Sequence, residues 1–113
     1  MKKALLLSLL FVSGVVGADF LDGKELKKSL DAYNTVSSKN PGSRLGAGTA
    51  IGYVSGVWDT GYYQTFCPGR GVKQSQAIAV AQKYLDKHPQ RLDEPAKTLL
   101  LEAFIESYPC KPR

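Results

Sequence analysis

Apolar residues recur with helical period in four stretches of this chain, and proline- or glycine-bearing breaks separate them. The stretch that organises the rest is residues 47–67, AGTAIGYVSGVWDTGYYQTFC. On a helical wheel Ala47, Ala50, Val54, Val57 and Trp58 share one arc, with Ile51 and Tyr62 at its edge. Gly48, Gly52 and Gly56 repeat every fourth residue along another face. Glycine inside a helix costs roughly 1 kcal/mol relative to alanine, so three at this spacing point to close approach of a second backbone. The helix is therefore expected to bury two faces. Asp59 interrupts the run before the roughly 20 apolar residues that a membrane span requires.

The other three stretches are shorter. Residues 22–35 place Leu26, Leu30 and Tyr33 at i, i+4 and i+7, with Asp22 as the cap. That stripe is narrow, which predicts a helix on the outside of the domain. Residues 37–45, SSKNPGSRL, collect turn formers and read as a solvated loop, with a partner-binding loop as the other reading. Residues 72–87 form the cleanest amphipathic pattern, with Ala77, Ile78, Val80, Ala81, Tyr84 and Leu85 on one side. His88-Pro89 ends it, because a residue before proline is pushed out of helical geometry. Asp93 is expected to cap a fourth helix over residues 96–108, with Pro95 in its first turn. This last helix is apolar nearly all round, so it is either central to the core or shared with a second subunit, and so small a domain favours a homodimer. The fold class is all-α, a small four-helix domain.

The chain opens with Lys2 and Lys3, an apolar run to Val16, and Val16-Gly17-Ala18 as a small-residue cleavage site. Residues 1–18 read as a signal peptide and 19–113 as a single domain. No cysteine follows the apolar run, so a soluble exported protein is expected, without stable membrane insertion after cleavage. Cys67 and Cys110 are the two cysteines, and in an oxidising compartment such a pair is read first as a disulfide. A redox centre or a metal site would need a CxxC spacing or more histidines. Formal net charge falls from +5 to +3 once Lys2 and Lys3 leave with the leader, and export argues against nucleic acid.

Candidate chemistry is sparse. His88 is the one histidine, both thiols are expected to be consumed, and scattered carboxylates offer no ligand set, so no cofactor, metal or catalytic residue is assigned. Glu102 and Glu106, one turn apart, read as the solvated edge of the last helix rather than an acid/base pair. Asp59 has three readings: buried and hydrogen-bonded, facing a partner, or, least favoured, catalytic. Trp58, Tyr62 and Tyr63, near Arg70 in sequence, have the composition of an interface anchor and equally of a core. Gly48, Gly52, Gly56, Trp58 and Asp59 are taken as structural.

Four pieces in order, Gly52-Tyr53-Val54-Ser55-Gly56-Val57-Trp58-Asp59, Phe66-Cys67-Pro68, Gln76 through Tyr84-Leu85 to His88-Pro89, and Ala103-Phe104 with Tyr108-Pro109-Cys110, carry a family likeness. Their order resembles the small periplasmic immunity proteins that protect bacteria from peptidoglycan amidase effectors delivered by type VI secretion. The resemblance covers roughly residues 47–110. It implies a helical, disulfide-containing periplasmic protein, commonly dimeric and not an enzyme, that binds an amidase and blocks its cleft. No contact residue carries over by motif, so Arg70, Lys87, His88, Gln90 and Arg91 are interface candidates on exposure and chemistry alone. The alternative is a general periplasmic stress protein or holdase, which a single histidine equips poorly for pH sensing.

Overall fold

Side-chain caps at Asp22 and Asn40 and an apolar arc on each of four helices set the architecture. The computed structural model describes residues 20–36 and 40–112. The expected leader, residues 37–39 of the expected loop and Arg113 lie outside the described residues. Helices α1 (Gly23–Asn34), α2 (Pro41–Gly61), α3 (Gln74–Lys87) and α4 (Ala96–Ser107) follow in order, with a short 3-10 turn, Pro89–Arg91, between the last two. No strand occurs among the described residues.

Asp22 caps α1 as expected, its carboxylate accepting from the Glu25 amide at 2.9 Å. The helix sits deeper than its narrow stripe suggested, because Leu26 and Leu30 are both fully buried. It packs chiefly along α2. Gly23 explains the depth: a Cβ there would lie 2.7 Å from the Leu99 side chain and 2.9 Å from the Leu92 backbone. Only glycine lets α1 come so close to α4.

The central helix begins six residues before the expected start and ends six before the expected end. Asn40 accepts from the Gly42 and Ser43 amides at 2.9 and 3.3 Å, so Pro41 and Gly42, read as turn formers, are the first turn of α2 instead. Proline fits there because the first helical amide lacks an intrahelical partner anyway. At the other end the helix stops at Gly61 and the chain folds Phe66 back beneath it, so closely that a Cβ on Gly61 would lie 2.5 Å from the ring. Ala47, Ala50, Val54 and Val57 face the core as the wheel predicts. The glycine face does not. A Cβ on Gly48, Gly52 or Gly56 would meet nothing within 4 Å, so the expected close backbone approach is absent among the described residues. Asp59 is exposed too, contrary to the buried reading.

α3 and α4 close the core. α3 buries Ala77, Ile78, Ala81, Tyr84 and Leu85, and α4 buries Ala96, Leu99, Leu100, Ala103 and Phe104. Thus the central reading of α4 accounts for most of its apolar residues, leaving Ile105 exposed. Asp93 does not cap α4. Pro95 occupies the cap position, and the Ala96 amide donates instead to the Leu21 carbonyl at 3.0 Å.

Cys67 and Cys110 are joined, with their Cα atoms 4.7 Å apart across 43 positions of sequence. The Cys67 amide donates to the Tyr108 carbonyl at 2.8 Å beside the bridge. Behind it the Trp58 ring packs against Phe66, Phe104 and Tyr108, with centroids 4.9, 5.0 and 5.5 Å away. Trp58 is therefore a core side chain at the seam of α2 and α4.

Two outcomes follow. Replacing both cysteines by serine lowers unfolding free energy by about 4 kcal/mol on the chain-entropy estimate, read by urea denaturation. Gly52→Ala stabilises the monomeric chain by roughly 0.5–1 kcal/mol, since no neighbour opposes the added methyl. A loss of stability in dilute solution would show that this face is covered.

Candidate functional site

Among the described residues, no group of three or more His, Cys, Asp or Glu could hold a metal ion. What the chain does build is a fixed corner between α3 and α4, and it contains four of the five interface candidates.

The corner is wired through its backbone. Amides of His88, Arg91 and Glu94 donate to the carbonyls of Leu85, His88 and Arg91 at 3.2, 3.0 and 3.0 Å, which folds residues 88–94 into consecutive turns. The start of α1 straps it from outside: the Gly23 amide donates to the Glu94 carbonyl at 3.0 Å and the Lys24 amide to the Leu92 carbonyl at 2.9 Å. Such a loop has little freedom left to lose when it binds.

Arg91 lies at its centre. Its Nε and one Nη reach the two oxygens of Glu94 at 2.7 Å each, the bidentate geometry that suits a guanidinium. The other Nη donates to the Tyr84 hydroxyl at 2.8 Å and pairs with Glu102 at 2.6 Å. Tyr84 in turn donates to Glu102 at 2.9 Å. The guanidinium holds both carboxyls below the usual range, joined at Glu102 by the tyrosine hydroxyl. Burial pushes the Tyr84 phenol up, and Glu102 adds to it. Arg91 is a strut in this arrangement. Glu102, read from sequence as a solvated edge, is its anchor on α4.

The groups left to meet a partner are the neighbours of that strut. Lys87 and Gln90 are exposed. His88 is half-buried with its ring 4.3 Å from that of Tyr84, which fixes the direction it presents. Arg70 is not with them: it precedes α3 while the others follow it, and a helix of this length separates its ends by about 20 Å.

A cleft of about 210 Å³ opens between α2 and the start of α3, walled by Val54, Val72 and Ala77, with Asp59 and Lys73 at its edge. Ser55 and Gln74 are hydrogen-bonded across it at 2.6 Å. Periodicity gave no sign of the Arg91 network, because its four members come from three elements; Arg91 and Glu94 three apart were its one local signal.

A family model described as Rap1a immunity proteins matches residues 22–110, a span that takes in all four helices and both cysteines. No curated protein matches the chain.

The network sets a pH dependence. Because the folded carboxyls of Glu94 and Glu102 titrate below their unfolded values, their contribution is complete above the ordinary glutamate range near pH 4.3 and fades as pH falls through the lower folded value. Glu102→Gln should therefore lower stability at pH 7 and flatten the decline between pH 5 and 3, as read by urea midpoints. Parallel pH curves for the two proteins would count against the strut.

Proposed function

The chain belongs to the Rap1a immunity protein family, a family of type VI effector immunity proteins, and from that premise we propose that it binds and inhibits a peptidoglycan amidase effector in the periplasm, without being an enzyme. The observation that carries this reading is the match over residues 22–110, which includes the bridged cysteines and the α3–α4 corner. An inhibitor of an enzyme cleft needs a projecting, preorganised element, and the strutted turn at residues 87–91 has that character. Lys87, His88 and Gln90 are the contact groups in this reading, with Arg91 holding them in place.

Export is part of the proposal: residues 1–18 serve as a signal peptide and 19–113 as the mature domain. Among the described residues no helix is long and apolar enough to cross a membrane. A disulfide also suits an oxidising compartment. The protein is further proposed to pair with a second copy. Exposed Leu45 and the uncovered glycine face of α2 support a pairing surface there better than α4 does, since α4 spends most of its apolar residues inside the chain.

The test is protection. Cells exporting a type VI amidase effector to the periplasm should grow when this chain is co-expressed with its leader, and lyse when residues 2–18 are deleted. The purified mature chain should form a complex of defined subunit ratio with that effector and stop peptidoglycan hydrolysis. Lys87→Ala combined with Gln90→Ala should weaken the complex at least 10-fold while costing no more than about 1 kcal/mol of stability, the worth of a cation at a helix C-terminus. Failure of the wild type to protect against, or bind, any such amidase would refute the reading, and promiscuous binding of unfolded proteins would favour the holdase alternative.

A further inference from the structure

The end of the molecule away from the strutted corner carries a second exposed feature with its own construction. We propose that the loop from Tyr62 to Gly71, held by the Cys67–Cys110 bridge, is a second protein-contact surface fitted to an acidic patch on the partner; this rests on the reading that the chain binds an effector.

The loop is shaped by the closure of α2. Amides of Gln64 and Thr65 turn back onto the Gly61 carbonyl at 2.9 and 2.8 Å, and the Tyr63 amide donates to the Phe66 carbonyl at 2.8 Å. This hairpin-like reversal drives Phe66 into the core, fully buried, and turns Tyr62 and Tyr63 outward at 44% and 51% exposure. Tyr63 has φ +53°, a left-handed conformation that is unfavourable by roughly 1 kcal/mol or more for a bulky residue and that glycine or asparagine would adopt more cheaply. Its side chain is fixed as well, its hydroxyl donating to the Pro68 carbonyl. The Tyr62 and Tyr63 rings meet edge-on with centroids 4.7 Å apart. Two large aromatic groups therefore stand exposed in one orientation, with their rotamer entropy already lost before any partner arrives.

The charges beside the tyrosines have one predominant sign. Arg70 follows the Pro68 carbonyl that Tyr63 grips, and Lys111 follows the cysteine bonded to Cys67. Both are exposed, and neither has a side-chain partner among the described residues. Asp59, one turn before Tyr62, is the nearby carboxylate. Tyrosine and arginine are, with tryptophan, the side chains enriched among energetically dominant interface residues. The bridge holds the chain at Lys111 beside Cys67, three residues before Arg70, so one acidic patch could meet both without reordering the loop.

A membrane surface would also accept tyrosines and cations. The loop argues for a protein instead: Gln64 and Thr65 at its tip are polar and exposed, no exposed aliphatic side chain is there to insert, and two cations fall short of the 4–8 of a polybasic lipid-binding segment.

The experiment uses the mature chain with its bridge intact, titrated calorimetrically with a purified type VI amidase effector against which the wild type protects. Arg70→Glu and Tyr63→Gly are the variants; the second relieves the left-handed strain but gives up the Tyr63 hydroxyl bond to Pro68, so its urea midpoint is read beside its affinity, and Arg70→Glu, an exposed side chain, keeps the test independent of folding. Each should weaken binding at least 10-fold, and raising NaCl from 0.1 to 0.5 M should weaken wild type more than Arg70→Glu. Both variants binding within twofold of wild type would overturn this surface and leave the proposed function standing. Tighter binding to vesicles of 3:1 phosphatidylcholine and phosphatidylglycerol than to the effector would overturn it in favour of a lipid surface. A wild type that binds no amidase removes the proposed function and this surface together.

Discussion

The end of α2 and the end of α4 are fastened at one place, and the geometry of the whole chain depends on that fastening. The Cys67–Cys110 bridge closes it covalently, and the rings of Trp58, Phe66, Phe104 and Tyr108 fill the space behind it. Ring pairs at these separations contribute about 0.5–1.5 kcal/mol each beyond the area they bury. Both matter in so small a domain, where a single core supplies only a few kcal/mol. Because the bridge follows Phe66 directly, it also fixes the reversal that buries this ring and exposes the two tyrosines before it.

From that fastening the chain runs up α3, turns, and comes back down α4. The turn is therefore the far end of a braced pair, and a second brace forms there from Arg91, Glu94, Glu102 and Tyr84. Ion pairs at a protein surface ordinarily contribute little. Here the guanidinium spans three elements with bidentate geometry, so its effect is to select one loop conformation more than to add stability. The straps from Gly23 and Lys24 act in the same sense, tying the start of α1 over the turn. A frame rigid at both ends of α3 suits a protein whose family works by holding an effector, since rigid loops give up little entropy on association.

Much of this was legible in the order of residues. The apolar arcs of α2, α3 and α4, the Asp22 cap, the break at His88-Pro89 and the pairing of two lone cysteines are local or nearly local signals, and the structure bears them out. Errors arose where tertiary contacts chose between locally equal options. Pro41-Gly42 suits a turn and a first helical turn alike, and the Asn40 cap decided for the helix. Asp93 could have capped α4, but the strand-like pairing of Asp22 with Pro95 gave the Ala96 amide another acceptor. The glycines of α2 carried a spacing without a partner, and the partner expected inside the chain is absent among the described residues. As for the interface candidates, exposure and charge alone could not foresee that Arg91 would be drawn inward while Lys87 and Gln90 stayed exposed.

In the proposed mode of binding, the stapled frame offers the turn after α3 to an effector. Amide hydrogen exchange of the mature chain, free and bound to an amidase that it inhibits, tests it most directly. Exchange should slow in residues 87–94 on binding, while amides in the middle of α2 keep their free-state rates. Slowing confined to the glycine face of α2, with the α3–α4 turn unchanged, would contradict it.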